Sequence, residues 1–428
     1  MNARKRYRRV LLWIFGAALV FCAFFSYFYI QNTIPDRVNV VVQEEENFNF
    51  SLPMAATLTS ESQEVSLLGA SNIPSDAIDL VLDEDFQIVG SSTGSYSVSC
   101  KLFGLIPMKE IEVAVVNPRY VYPIGEPIGI YLETQGIMIV GTGAVADLSG
   151  VERDPARDQV QSGDYITAVN GEPISDKEEL VELVSENGAA PVSLTIRRDQ
   201  EERQVSITPV QSGENEFKLG IWVRDDTQGI GTLSYITPEG GYGALGHGIS
   251  DTDTGMLIES TEGLLYEASI RSIIKGNGSQ PGSVCGSIDY SSQNCLGEIY
   301  RNCSAGIYGT CDLEQSLPEG VEAVPVGYMQ DVELGEAWIR SSISGEIRDY
   351  RIEILQVDKN SSDNKGLVIQ VTDPELLELT GGIVQGMSGS PILQNGKMIG
   401  AVTHVFLQDP TRGYGIFLEK MLEASSSG

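Results

Sequence analysis

Gly386-Met387-Ser388-Gly389-Ser390-Pro391 runs into Ile392-Leu393-Gln394, then Asn395-Gly396, then Met398 to Val402. The first six residues set a serine between two glycines. The rest reads as a strand, a tight turn and a returning strand, because Asn-Gly between apolar runs is a strong hairpin signal. Flanking glycines allow the turn that exposes the Ser388 hydroxyl, and they point the amides of Gly386 and Ser388 into one pocket. A serine hydroxyl is a poor nucleophile until a base takes its proton, and the resulting oxyanion needs N–H donors. The stretch therefore predicts serine-nucleophile chemistry in a β-rich domain, with Gly386 and Ser388 as oxyanion donors.

A base is expected upstream, and the chain holds just 2 histidines. His247 lies in Gly246-His247-Gly248-Ile249 and precedes Ser388, in the order used by chymotrypsin-like proteases. A neutral imidazole at physiological pH can take the seryl proton. His404, in Thr403-His404-Val405-Phe406, follows the nucleophile on a strand expected to line the substrate cleft, and is given a substrate-side or structural role. Asp251, Asp253 and Asp373 all satisfy the His, Asp, Ser order for the orienting carboxylate. Asp373 also reads as a helix N-cap, with Pro374 at the first helical position.

From Val210 onward short strands broken by Gly, Asp and Asn continue almost to the end, about what two small β-barrels require. Helical signal is confined to Asp373–Leu379 and Leu418–Ala424. Upstream, Asp164-Tyr165-Ile166-Thr167-Ala168-Val169-Asn170-Gly171 alternates apolar residues into another Asn-Gly turn. Asp176–Glu186 then places Leu180, Val181 and Val184 at helical spacing behind Ser175 as N-cap, and Val192–Arg197 returns to strand alternation. These residues resemble a PDZ domain. Such a domain adds a peptide as a strand beside its helix and holds the terminal carboxylate with loop amides; the matching loop here is read as Ile128, Gly129 and Ile130 within Pro127–Leu132.

At 428 residues the chain exceeds what one core supports. Hydrophobic residues are 42% and charged residues 20%, which fits globular domains rather than disorder. The net charge of -31 excludes binding to phosphate backbones, so no nucleic-acid partner is expected. One basic cluster, Arg4 to Arg9, precedes an apolar run from Val10 to Ile30, long enough for a bilayer. It predicts a single-pass transmembrane helix with the N-terminus cytoplasmic and the remainder exported. Residues 31–120 read as a β-rich module in which Leu52–Ser75 is a linker or processing site. Disulfides among Cys285, Cys295, Cys303 and Cys311 are compatible with export. No Cys-x-x-Cys pair and two histidines leave no zinc site, and no cofactor is expected.

The strings GIGTLSYITPEGGYGALGHGISDTDTG, TDPELLELTGGIVQGMSGSPILQNGKMIGAVTHVF and DPTRGYGIFLEKML, with an anchor and a PDZ domain ahead of them, resemble the SpoIVB peptidase family of endospore-forming Firmicutes. The resemblance implies a serine endopeptidase exported into the space between forespore and mother-cell membranes. There it would cleave the membrane-bound regulator of an intramembrane metalloprotease, which then processes pro-sigma-K. It implies a triad of His247, Asp373 and Ser388, tipping the carboxylate to Asp373, and self-cleavage near the N-terminus. The four late cysteines depart from the family pattern. The expected chain is thus mainly β: anchor 1–30, β-rich module 31–120, PDZ domain 121–210, and a chymotrypsin-like double β-barrel over 211–428. The PDZ domain is expected to take peptide C-termini or the protein's own chain. The alternatives are an inactive PDZ scaffold and an envelope quality-control protease, the latter disfavoured because its protease usually precedes its PDZ domain.

Overall fold

The computed structural model describes residues 2–33, 35–42, 45–48, 54–59, 65–67, 78–81, 86–90, 93–102, 106–277 and 280–426. It divides into two compact units: Met1–Tyr120 with Pro325–Leu334 and Gln356–Ser362, and the rest.

The first unit begins with helix α1 (Asn2–Thr33), on which Trp13, Phe21 and Phe24 are exposed. Among the described residues no helix is long and apolar enough to cross a membrane. The transmembrane helix expected over Val10–Ile30 is therefore not shown among the described residues. The described remainder of the unit is β-rich. Arg37–Val41 pairs in parallel with Ile106–Val116, followed across the sheet by Gly94–Leu102, Met54–Thr59 and Ile78–Val81. Most of Leu52–Ser75 lies outside the described residues.

In the second unit, strand β1 (Pro127–Thr142) leads into a PDZ-type sheet made with β2 (Tyr165–Val169), β3 (Val192–Arg198), β4 (Glu201–Ile207) and β5 (Ile221–Ile236), in the order β4-β3-β2-β1-β5. Helix α2 (Lys177–Asn187) covers it. Its N-cap is Asp176, whose side chain accepts from the Glu179 amide, and not Ser175, which instead bonds the Glu179 carboxylate. Asn170 and Gly171, at φ of 50° and 87°, form the expected turn. Leu180 and Val184 of α2 pack on Ile139, Ile166, Leu194 and Ile196.

β1 and β5 are each 16 residues long and stay paired from Pro127↔Thr232 to Thr142↔Ile221. Their far halves belong to a different body. There β1 also pairs with β7 (Ser260–Ile274), and β5 with β6 (Gly241–Ala244); β8 (Cys295–Cys303) and β9 (Gly306–Cys311) complete the ring β1-β7-β8-β9-β6-β5. This six-stranded barrel closes over Ile128, Ile130, Leu132, Leu233, Leu265 and Ile307. Each such side chain contributes roughly 1.5–3 kcal/mol on burial.

The PDZ domain is therefore inserted between the first two strands of the barrel. The boundaries expected at 121–210 and 211–428 shift accordingly, because Pro127–Glu133 is barrel strand and the PDZ sheet ends near Arg224. A second closed barrel follows, with β10 (Gly335–Ser341), β11 (Arg348–Val357), β12 (Leu367–Val371), β13 (Pro391–Gln394), β14 (Lys397–Phe406) and β15 (Asp409–Phe417). Helices α3 (Pro374–Thr380) and α4 (Leu418–Ser426) stand where the sequence places them. Asn395 and Gly396 turn β13 into β14.

Candidate active site

Ser388 sits in the loop between α3 and β13. Neighbouring loop amides are used internally: Gln385 donates to Gly282 O, Met387 to Val384 O, Gly389 to Val402 O and Ser390 to Met387 O. The amides of Gly386 and Ser388 donate no hydrogen bond to any described residue. An unpaired N–H pair is what an oxyanion requires, and these are the two amides the sequence singles out. The loop is pinned to the first barrel by Thr232 Oγ1, which donates to Gly386 O at 2.7 Å. Gly389 has φ +99°, and a Cβ there would lie 2.2 Å from Thr232 O and 2.6 Å from the Leu245 amide. Only glycine lets the loop approach this closely.

His247 follows β6 two residues after Leu245, and Gly246 rests against Thr403 of β14. The candidate site thus draws its histidine from one barrel and its serine from the other. The half-buried His247 ring has Nδ1 2.9 Å from Gly248 O. A carbonyl only accepts, so it assigns the proton to Nδ1 and leaves Nε2 with a lone pair. Burial lowers the His247 pKa from its ordinary value. The His404 ring lies 5.0 Å away, centroid to centroid. Its pKa falls to about 4, first through desolvation and then through the neighbouring His247.

The expected triad is not assembled as written. Ser388 Oγ donates to the Thr403 carbonyl at 2.6 Å rather than to His247. Asp373 is the N-cap of α3: its carboxylate accepts from the Glu375, Leu376 and Arg351 amides, and nothing joins it to His247. Asp251 and Asp253 are occupied by Arg224. Burial opposes ionisation of Asp251, but hydrogen bonds from Thr254 and the Arg224 charge hold its carboxyl below the usual range. Asp363 opposes the lowering of the His404 pKa, its charge being the smallest of the contributions. Its neighbour Asn364 donates to the Gly246 carbonyl at 3.4 Å and accepts from Thr403 Oγ1. The sequence reading missed Asp363, Asn364 and the Gly248 and Thr403 carbonyls; backbone acceptors leave no residue-type signal.

The peptide loop is also displaced from its expected place. Ile128, Gly129 and Ile130 lie in β1 with β5 on one edge and β7 on the other, so no edge remains for a peptide strand. The free edge is that of β5 facing α2. There a groove of about 660 Å³ is lined by Leu180, Val181, Val184, Phe217, Leu219 and Ile221. Gly220, at φ +69°, turns the loop, and the amides of Leu219 and Gly220 have no partner among the described residues. Cys285, Cys295, Cys303 and Cys311 are free thiols, against the disulfides thought possible.

Residues 215–422 match the family model described as SpoIVB peptidase S55, and residues 140–198 match a PDZ domain model. Residues 215–422 belong to the SpoIVB peptidase family. The chain is accordingly a PDZ-bearing serine peptidase. No curated protein matches it. Among solved structures, the PDZ domain of an SdrC-like protein from Listeria monocytogenes is similar at 19% identity over 19% of this chain and 86% of that one, TM-score 0.16. The Rv3671c protease from M. tuberculosis in its active form gives 13% identity over 47% of this chain and 76% of that one, TM-score 0.25. The HtrA-type protease AlgW with a decapeptide gives 12% identity over 51% and 55%, TM-score 0.25.

Proposed function

We propose that the protein is a serine endopeptidase of sporulation signalling. In this reading it cleaves the membrane-bound regulator of an intramembrane metalloprotease, an event that leads to pro-sigma-K processing. Ser388 is the nucleophile and His247 the base. Once the Ser388 hydroxyl turns from Thr403 O toward His247 Nε2, the imidazole takes its proton as Oγ attacks the scissile carbonyl. The Gly386 and Ser388 amides then hold the oxyanion. His247, protonated, returns the proton to the leaving amine, and water hydrolyses the acyl-enzyme by the same steps in reverse roles. The Gly248 carbonyl keeps the imidazole in the required tautomer.

The observation that carries this reading is the pair of unpartnered amides at Gly386 and Ser388, flanking a serine whose loop is locked against the histidine segment. The PDZ groove takes peptide C-termini, from the substrate or from another copy of the chain. The peptidase acts outside the cytoplasm, held at a membrane by the exposed apolar side chains of α1. One observation favours an inactive scaffold instead: the Ser388 hydroxyl rests on a carbonyl that cannot take its proton. Incubating the full-length protein with a peptide from the regulator, beside Ser388→Ala, separates the two. Cleavage by the wild type alone supports the peptidase, and no cleavage by either folded protein supports the scaffold.

A further inference from the structure

β5 carries two successive side chains that point to different parts of the molecule. Asp225 accepts both the amide and the ammonium of Lys177, at 2.9 and 2.8 Å, and so ties β5 to the start of α2 at one end of the peptide groove. Arg224 reaches instead to the first barrel, where its guanidinium pairs with Asp251 and, at 2.8 Å, with Asp253.

Asp251 is wholly buried, and it organises the loop that follows His247. Its Oδ1 accepts the amides of Asp253 and Thr254, its carbonyl accepts from Gly255, and its amide donates to Met256 O. The base of this loop is fixed by Asn302, whose side chain bonds Ile249 N, Ile249 O and Ile258 O. Its tip touches the PDZ domain: a Cβ on Gly163 would fall 2.4 Å from the Met256 sulfur. Loop 249–258 therefore has one anchor in the barrel and another in the strand that walls the peptide groove, and it starts two residues after the candidate base.

We propose that Arg224 is a positioning residue for His247, through which a short peptide with a free C-terminal carboxylate and an apolar last side chain, bound along β5, resets the loop after the base. The ligand class follows from the groove's apolar lining and the free Leu219 and Gly220 amides. A peptide adding to the β5 edge pairs with Ile221–Val223 and arrives at the Asp225–Lys177 tie, so the strand shifts where Arg224 leaves it. The inference rests on the peptidase reading for its consequence, but its structural half is independent of it.

The test uses full-length protein, the hexapeptide Gly-Ser-Gly-Ala-Val-Leu with a free carboxylate, and its C-terminal amide. Binding is followed by calorimetry, backbone hydrogen exchange by mass spectrometry, and turnover with labelled casein. The acid peptide is expected to protect 219–225 and to change exchange in 249–258 in the wild type, altering kcat at least threefold with KM within twofold. Arg224→Ala is expected to bind equally well and keep the protection at 219–225, while the change in 249–258 and the kcat response vanish. Arg224→Lys restores both, whereas a merely structural defect would raise exchange in 249–258 with or without peptide. Failure of the acid peptide to bind better than the amide, or an unchanged 249–258 response in Arg224→Ala, overturns the proposal. Casein turnover absent in every form, with the exchange coupling present, sinks the peptidase reading and leaves the coupling standing.

Discussion

Ser388 Oγ donates a hydrogen bond to the Thr403 carbonyl at 2.6 Å, one residue before the His404 ring that lies tilted beside His247. A carbonyl can hold the hydroxyl but cannot take its proton, so under the proposed function this is a resting arrangement. Ser388→Ala should lower hydrolysis at least about 10³-fold, because no base compensates for a missing nucleophile. The lost Thr403 bond should cost about 1 kcal/mol of stability. Turnover assays with denaturant titration read both, and a variant that keeps hydrolysing would place the nucleophile elsewhere.

His247 must be neutral to act as base, and burial lowers its pKa below the ordinary 6.5. The acid limb of kcat/KM should therefore lie below pH 6.5, with activity persisting as pH falls through that value. Stability runs the other way. His404 takes its proton near 4 when folded and near 6.5 when unfolded, so the unfolded chain binds more protons between those values. Stability should fall as pH drops from about 6.5 toward 4, and His404→Asn should fall less. Thermal melts across that range show whether the two proteins diverge.

Asp373 is accounted for by the first turn of α3, whose Glu375 and Leu376 amides it caps. Asparagine caps as well as aspartate. Asp373→Asn should thus keep kcat within a few-fold, and Asp373→Ala should cost about 1 kcal/mol of stability. Were Asp373 to orient His247 during turnover, the asparagine variant would drop about 10⁴-fold in kcat, as in triads where the wrong tautomer results. Steady-state kinetics on the two variants decide between the cap and the triad.

Gly389 and Gly396 both hold positive φ, at +99° and +75°, but only Gly389 faces backbone at 2.2 Å; Gly396 faces open space. Gly396→Ala should cost about 1 kcal/mol in backbone strain. Gly389→Ala adds a clash between the serine loop and Thr232, and should cost on the order of 3 kcal/mol. Equal losses in chemical denaturation would mean that the loop is not pressed against the first barrel.

Features encoded within a few residues were legible in the sequence. Asn170-Gly171 and Asn395-Gly396 turn as read, Thr372-Asp373-Pro374-Glu375 caps a helix, and Gly386-Met387-Ser388-Gly389 leaves two amides free. What escaped depends on pairing across distance. Ile128-Gly129-Ile130 and Leu219-Gly220-Ile221 are the same apolar-Gly-apolar pattern, and nothing local tells which one ends up between two strands and which beside an open edge. The insertion of the PDZ domain hides for the same reason, since the paired strands β1 and β5 are separated in the chain by the rest of the domain. Chain order permits several aspartates as the orienting carboxylate, whereas in the structure Arg224 and the α3 amides engage those it offers.

The most direct measurement is the intact mass of the full-length protein after exposure to a fluorophosphonate, with the modified residue located by peptide mapping. The account predicts a single adduct on Ser388, absent from Ser388→Ala and strongly slowed in His247→Ala. A folded wild type that takes no adduct, or takes it on another residue, would contradict it.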